Sequence, residues 1–167
     1  MKDKLNFYHY IAGMVDVVAV GGSIALLVQN DPTVPSDYVP GDIDLCIASE
    51  EDMQIIHENM IADGYVMSLN IDNPYMFTVR RQYKRDGEKH DFFILAGVAK
   101  LSSIIEGVCY IHPSVVWAAR GFYAGVGSSK AFGQLVDGGY ITNTPKPMMS
   151  LKSKIKRIIK DLKFLLA

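Results

Sequence analysis

Two aspartates separated by one residue stand at the start of an apolar run, in the segment Asp42-Ile43-Asp44-Leu45. Successive side chains of a β-strand point to opposite faces, so Asp42 and Asp44 are expected on one face and Ile43 and Leu45 on the other. Two neighbouring carboxylates repel each other unless a cation lies between them, and carboxylate oxygens are ligands that suit magnesium. The pattern therefore predicts a divalent-cation site on one face of a sheet.

A glycine turn precedes these acids in the chain. Residues 17–20 are apolar and rich in β-branched side chains, which indicates a buried strand. Gly21 and Gly22 follow, and Ser23 opens a segment with the pattern of a helix. Glycines allow the backbone to turn sharply and to approach a ligand closely. The free N–H groups and positive dipole at a helix start suit phosphate, so the turn is a candidate phosphate-binding site.

This arrangement resembles the signature of the nucleotidyltransferase fold superfamily. That signature is a strand, then Gly-Gly-Ser at a helix start, then Asp-x-Asp on the next strand. The resemblance is to its polymerase-β-like members of the minimal type, and it covers residues 1–97. Such proteins carry a third acid on a later strand, which Asp91 matches in Lys89-His90-Asp91-Phe92. The resemblance implies that three residues bind magnesium and act in catalysis, namely Asp42, Asp44 and Asp91. It also implies that Gly21, Gly22 and Ser23 bind the nucleotide.

The resemblance also implies an activity. A nucleoside triphosphate would donate its nucleoside monophosphate to an acceptor hydroxyl, with release of pyrophosphate. Mg²⁺ would stabilise charge on the attacking and leaving oxygens of an in-line displacement. The acceptor stays open between a tRNA end, a protein and a small molecule, and a partner protein is among the candidates.

Three other interpretations remain at this point. The domain could bind nucleotides or a partner without catalysis, although the presence of all three acids argues against this. A glycosyltransferase also uses Asp-x-Asp to bind a metal and a nucleotide sugar, but it would not need Gly-Gly-Ser at a helix start. Finally, the pattern could be accidental in an unrelated α/β domain.

Composition favours an ordinary globular protein. The chain has 167 residues, enough for one domain with a small appendage, and contains 49% hydrophobic and 21% charged residues. No apolar run approaches the roughly 20 residues that span a bilayer, so no membrane partner is expected. Cys46 and Cys109 follow no disulfide pattern, which predicts a reduced, cytoplasmic protein. Cys46 is expected as a buried thiol on the face opposite the two aspartates.

The C-terminal segment differs in charge from the rest of the chain. Residues 152–167 hold six basic residues and one acid, a net charge of +5, so the first 151 residues carry −6 of the total of −1. Apolar residues recur there at helical spacing, which predicts an amphipathic helix. Its basic face could simply be solvated, or its apolar stripe could face lipid. The alternative is a cationic wall for triphosphate or nucleic acid, with Lys152 and Lys156 as nucleotide-binding residues.

The helices and strands that the sequence predicts around these residues indicate an α+β fold. It consists of a mixed, mostly antiparallel sheet with packed helices. Asp86-Gly87 predicts a tight hairpin between residues 75–84 and 89–95. Ser49 predicts the start of a helix. The chain is expected to divide into a nucleotidyltransferase-like core at 1–97 and a helical C-terminal region at 98–167 that packs on it.

Overall fold

The computed structural model describes residues 2–31, 34, 37–71, 79–116, 155 and 159, in which a seven-stranded sheet is the central element. The strands are β1 (Val18–Val20), β2 (Ile43–Ile47), β3 (Val66–Asn70), β4 (Val79–Arg85), β5 (Glu88–Ile94), β6 (Ser102–Ile105) and β7 (Val108–Ile111). The helices are α1 (Lys2–Ala12), α2 (Gly22–Val28) and α3 (Glu50–Ala62), and a 3-10 turn spans Val98–Leu101.

The strands are arranged in the order β3-β4-β5-β2-β1-β7-β6. Four neighbouring pairs are antiparallel, namely β3–β4, β4–β5, β1–β2 and β6–β7. The pairs β2–β5 and β1–β7 are parallel. The predicted α+β class with a mixed, mostly antiparallel sheet is confirmed. The topology places β2 directly beside β5, although about 40 residues of chain separate them.

The helix α3 begins where its sequence predicts. The Ser49 hydroxyl accepts a hydrogen bond from the backbone N–H of Asp52 at 3.1 Å, which caps the helix. One face of α3 carries apolar residues at helical spacing, and their side chains are fully buried in the core, namely Met53, Ile56 and Met60. The helices α1, α2 and α3 contain 11, 7 and 13 residues, and no helix of the described part is long and apolar enough to cross a membrane.

The hairpin of β4 and β5 also follows its prediction. Asp86 and Gly87 both have positive φ angles, 52° and 82°, as a two-residue type I′ turn requires. The turn fixes the register of the two strands, so that Arg85 faces Glu88 and the pairing continues residue by residue to Arg81 and Phe92, beyond which the register shifts.

The segment after Gly97 departs from the sequence analysis, which expects helical structure there. Residues 102–111 instead form the β6–β7 hairpin, and β7 extends the sheet by pairing Tyr110 with Val20 of β1. Val108, Tyr110 and Ile111 gain a buried position in the sheet that a helix at this place would not provide. The helical assignment is therefore wrong for residues 102–111, while the division of the chain at residue 97 stays a prediction.

One face of the sheet is covered by aromatic packing. The ring of Phe7 in α1 stacks on His90 in β5, with the centroids 3.7 Å apart. Nδ1 of His57 in α3 lies 2.8 Å from the hydroxyl of Tyr83 in β4, a residue with no exposed surface. The helices α1 and α3 therefore pack over the face that carries His90 and Tyr83.

Candidate functional site

The opposite face of the sheet brings the three predicted acids together. Asp44 in β2 and Asp91 in β5 are register partners in neighbouring parallel strands. Asp42 lies one residue before β2 and follows the same alternation as Asp44. His90, the neighbour of Asp91, points to the aromatic face instead. The fold thus collects the carboxylates on one face from segments far apart in the sequence.

Lys89 provides a positive charge between two of these acids. Its Nζ lies 3.3 Å from Oδ2 of Asp42 and 3.5 Å from Oδ2 of Asp91. Partial burial lowers the pKa of Lys89, but the Asp91 and Asp42 carboxylates outweigh it, so the pKa lies above its usual value. The lysine is therefore charged at neutral pH. It is a site residue that the sequence analysis did not select, although it stands two residues before Asp91 and so shares its face.

The second oxygen of Asp91 is held from the neighbouring strand. Nε2 of Gln82 donates a hydrogen bond to Oδ1 of Asp91 at 2.8 Å, and the two residues are register partners. The Ser68 hydroxyl donates to Oε1 of Gln82, also at 2.8 Å, which orients the amide. Ser68 lies in β3 where the register shifts between Met67 and Leu69, at a β-bulge. Gln82 and Ser68 were also missed from the sequence.

The glycine turn contacts Asp44 directly. The backbone N–H of Gly21 donates to the carbonyl oxygen of Asp44 at 2.8 Å. Gly22 has a φ of +58°, and a Cβ atom at this position would lie only 1.8 Å from Oδ2 of Asp44. Both the backbone angle and the space therefore require glycine. Ser23 follows half-buried in the first turn of α2, where backbone N–H groups have no partner within the helix.

The donor set can be compared with the needs of a magnesium ion. Carboxylate oxygens are the kind of ligand that suits Mg²⁺. Within the described ranges, however, no group of three or more His, Cys, Asp or Glu residues is placed to hold a metal ion. Lys89 lies between Asp42 and Asp91 in this arrangement. The acids fit the ion in the chemistry of their oxygens, and their metal-binding role stays a prediction.

Cys46 corrects one assignment of the sequence analysis. It lies two residues after Asp44 and shares its face, and a Cβ atom on Gly21 would lie 3.3 Å from its Sγ. Its expected position on the opposite face is therefore wrong, because residues two apart on a strand point to the same face. The thiol is buried, as expected, and burial followed by the charge of Asp44 raises its pKa. It is therefore a protonated, unreactive packing residue beside the turn.

Two other predicted site residues, Lys152 and Lys156, lie outside the described residues, so their nucleotide-binding role stays a prediction. Gly21, Gly22, Ser23 and the three acids are all described. The described candidate site is therefore the β2–β5 face together with the turn that precedes α2.

Comparisons with known proteins identify the fold. No family model and no curated protein matches the sequence. The crystal structure of ANT(2″)-Ia in complex with adenylyl-2″-tobramycin is similar, with a TM-score of 0.51 and 12% identity over 97% of this chain and 99% of that chain. The solution structure of the same antibiotic-resistance factor, which reveals substrate-regulated conformation dynamics, is also similar. Its TM-score is 0.52, with 12% identity over 98% of this chain and 89% of that chain. At this identity the similarity shows the fold, which this chain shares with a nucleotidyltransferase.

Proposed function

We propose that this protein is a magnesium-dependent nucleotidyltransferase that moves a nucleoside monophosphate from a nucleoside triphosphate to an acceptor hydroxyl and releases pyrophosphate. The observation that carries the proposal is the pairing of Asp44 with Asp91 on one face, with the Gly22 turn closed against the Asp44 carboxylate. The fold shared with ANT(2″)-Ia supports it, because the Asp-x-Asp and Gly-Gly-Ser segments then lie in a nucleotidyltransferase fold. The same fold argues against the glycosyltransferase interpretation.

The roles of the acids follow from their surroundings. Asp42, Asp44 and Asp91 would hold magnesium, which would stabilise negative charge on the attacking and leaving oxygens. Asp91 is the residue best placed to accept the proton of the acceptor hydroxyl, because Gln82 fixes the orientation of its carboxylate. Most of the rate enhancement then comes from positioning and electrostatic stabilisation rather than from covalent chemistry.

The turn before α2 binds the phosphates. Without a side chain at Gly22, the backbone can lie against the Asp44 carboxylate and still leave the helix start open to the nucleotide. The N–H groups of the first turn, with the Ser23 hydroxyl, donate to the anionic oxygens of the leaving pyrophosphate. Lys152 and Lys156 are proposed to add positive charge for the same ligand.

The acceptor we favour is a small molecule that bears a hydroxyl group. The structural neighbour is bound to adenylyl-2″-tobramycin, a small molecule that carries an adenylyl group. We therefore propose ATP as the first nucleotide to test and an aminoglycoside-like polyol as the first acceptor class. A tRNA end or a protein acceptor would be a different outcome of the same assay.

The test is a transfer assay with each of the four labelled nucleoside triphosphates, magnesium and a panel of acceptors that includes tobramycin and tRNA. We expect pyrophosphate release that depends on an acceptor, together with a labelled product, and neither with the Asp44→Asn variant. Nucleotide binding without pyrophosphate release for any acceptor would favour the non-catalytic sensor. A parallel reaction supplies a labelled sugar nucleotide in place of the triphosphate, and its preferential consumption would favour the glycosyltransferase.

A further inference from the structure

We propose that Lys89 is the internal counter-ion of Asp42 and Asp91 and competes with a divalent cation for these two carboxylates. The proposal rests on the magnesium-binding role given to the acids under the proposed function. It goes beyond that role because it makes the affinity for the metal depend on the displacement of a side chain of the protein itself.

The contacts of Lys89 define the competition. Its ammonium contacts one oxygen of each acid, at 3.3 Å from Asp42 and 3.5 Å from Asp91. A divalent cation bound by the same oxygens would meet the positive charge of the lysine at short range, so both cannot occupy the space together. Within the described residues, no group of three or more His, Cys, Asp or Glu side chains is placed to hold a metal ion, so metal binding by these acids requires a rearrangement of side chains.

Lys89 is able to leave without displacing Asp91. Its side chain is 39% exposed and ends in a flexible four-carbon chain, so the ammonium can turn into solvent. Asp91 stays in place when this happens, because its other oxygen accepts a hydrogen bond from Gln82. One ammonium balances only part of the charge of Asp42 and Asp91 together, so a divalent ion has an electrostatic advantage once it arrives.

A purely structural role for Lys89 makes a different prediction. If the lysine only holds two strands together, its removal lowers stability and magnesium does not restore it. If it competes with a cation, its removal exposes repulsion between the carboxylates that magnesium relieves. Metal affinity and metal-dependent stability therefore separate the two roles without any measurement of transfer activity.

The first experiment is calorimetric titration of Mg²⁺ into nucleotide-free wild type, Lys89→Met and Lys84→Met. Lys84 is the cross-strand partner of Lys89, is exposed and carries the same charge, so its variant controls for net charge. We expect Lys89→Met to bind Mg²⁺ about tenfold more tightly than wild type, equivalent to roughly 1.4 kcal/mol. Lys84→Met should stay close to wild type. Equal affinities in wild type and Lys89→Met, or no binding in either, would overturn the proposal.

The second experiment uses the unmutated protein and does not depend on the folding of a variant. Brief reductive methylation followed by mass spectrometry measures how accessible each lysine is, with EDTA or with saturating Mg²⁺. We expect Mg²⁺ to increase the labelling of Lys89 severalfold and to leave Lys84 unchanged. Labelling of Lys89 that is indifferent to Mg²⁺ contradicts competition. If transfer assays fail while both metal readouts succeed, the proposed function is wrong and the competition stands.

Discussion

His90 and Asp91 are neighbours in β5, and they show how differently the two faces of the sheet treat a polar side chain. His90 is 5% exposed and stacks on Phe7, and its Nδ1 has no hydrogen-bond partner among the residues that the structure describes. Asp91 has both carboxylate oxygens engaged by polar partners, Lys89 and Gln82. The aromatic face buries His90 and so disfavours its charged form. The acid face instead provides polar and ionic partners for Asp91.

The difference separates stability from chemistry. On the aromatic face the gain comes from burial, so a change there should alter the free energy of unfolding and leave the chemical groups intact. On the acid face, Asp42 and Asp44 are only half-buried, and the buried Asp91 is engaged by Lys89 and Gln82. The loss of one carboxylate there should therefore alter activity more than folding. The acid face contributes little to the free energy of folding, and burial on the opposite side of the same strands contributes it instead.

Asp44→Asn should have the largest effect on activity, a fall of at least about a thousandfold, as expected for the loss of an electrostatic group at the reacting centre. The melting temperature should stay unchanged or rise slightly, because the substitution removes repulsion among the acids. Transfer kinetics and thermal denaturation check the two halves of the prediction.

The matched variant on the other face is Phe92→Ala, which removes a fully buried ring next to Asp91 in the chain. It should cost about 3–5 kcal/mol of stability by leaving a cavity. A large loss of stability in Asp44→Asn would make Asp44 a structural residue and remove the contrast between the faces.

The aromatic face should also impose a pH dependence on stability. Burial, followed by the charges of Lys4 and Arg85, lowers the pKa of His90 to about 4. The unfolded chain takes up this proton near pH 6.5, whereas the folded protein does not. The contribution is therefore complete above pH 6.5 and is lost as the pH falls toward 4, by roughly 3 kcal/mol.

Urea unfolding of wild type and His90→Phe at pH 7 and pH 4.5 measures how much His90 contributes to the free energy of unfolding at each pH. The stability of wild type should fall more steeply on acidification than that of the variant, which keeps the ring stacked on Phe7 and cannot be protonated. Equal slopes for the two proteins would show that His90 is not held neutral by the fold.

Gly22→Ala should be the next most damaging change on the acid face. The added Cβ would lie 2.8 Å from Cγ of Asp44, so the carboxylate must rotate away from its position. We expect a fall of about a hundredfold in kcat/KM, equivalent to roughly 2.7 kcal/mol, and a stability cost of about 1–2 kcal/mol from the positive φ.

Gly41→Ala is the control for Gly22→Ala, because it lies beside Asp42 and a Cβ there meets nothing within 4 Å. It should behave as wild type in both assays. If Gly22→Ala kept full activity, the close contact between the turn and Asp44 would have no functional importance.

The two tight hairpins show how much of the fold the sequence could predict. Asp86-Gly87 and Glu106-Gly107 adopt the same pair of positive φ angles, 52° and 82° against 50° and 78°. Aspartate tolerates this conformation and marks the first turn, whereas glutamate rarely adopts it, so the second turn was missed. Burial of Val108 and Tyr110 in the sheet outweighs the local preference there, and such tertiary packing cannot be read from a short segment.

The site was predictable to a similar extent. The residue types and spacing of Asp42, Asp44 and Asp91 suggested a shared face. Counting back from the turn at Asp86-Gly87 pairs Gln82 with Asp91, so the predicted hairpin already contained this contact. Ser68 could not be found in this way, because the bulge in β3 that shifts its register has no signal in the sequence.

The relay from Ser68 through Gln82 to Asp91 gives the smallest expected effect and the finest test of the acid face. Gln82→Ala removes a hydrogen bond to a charged group and should lower kcat about tenfold, with little change in KM. Ser68 acts only by orienting the Gln82 amide, so Ser68→Ala should lower kcat by only about threefold, a fraction of one neutral hydrogen bond. In the Gln82→Ala background the same change should have no effect.

A double-mutant cycle of kcat over these variants measures that dependence. Thermal stability should stay near that of wild type throughout, because Ser68 is exposed and Gln82 is only half-buried. Additive losses of kcat would mean that Ser68 acts through some other contact. A loss of stability that parallels the loss of kcat would mean that the relay supports the strands rather than the carboxylate. Non-additive kcat at constant stability is the result that only a positioning role for Gln82 and Ser68 explains.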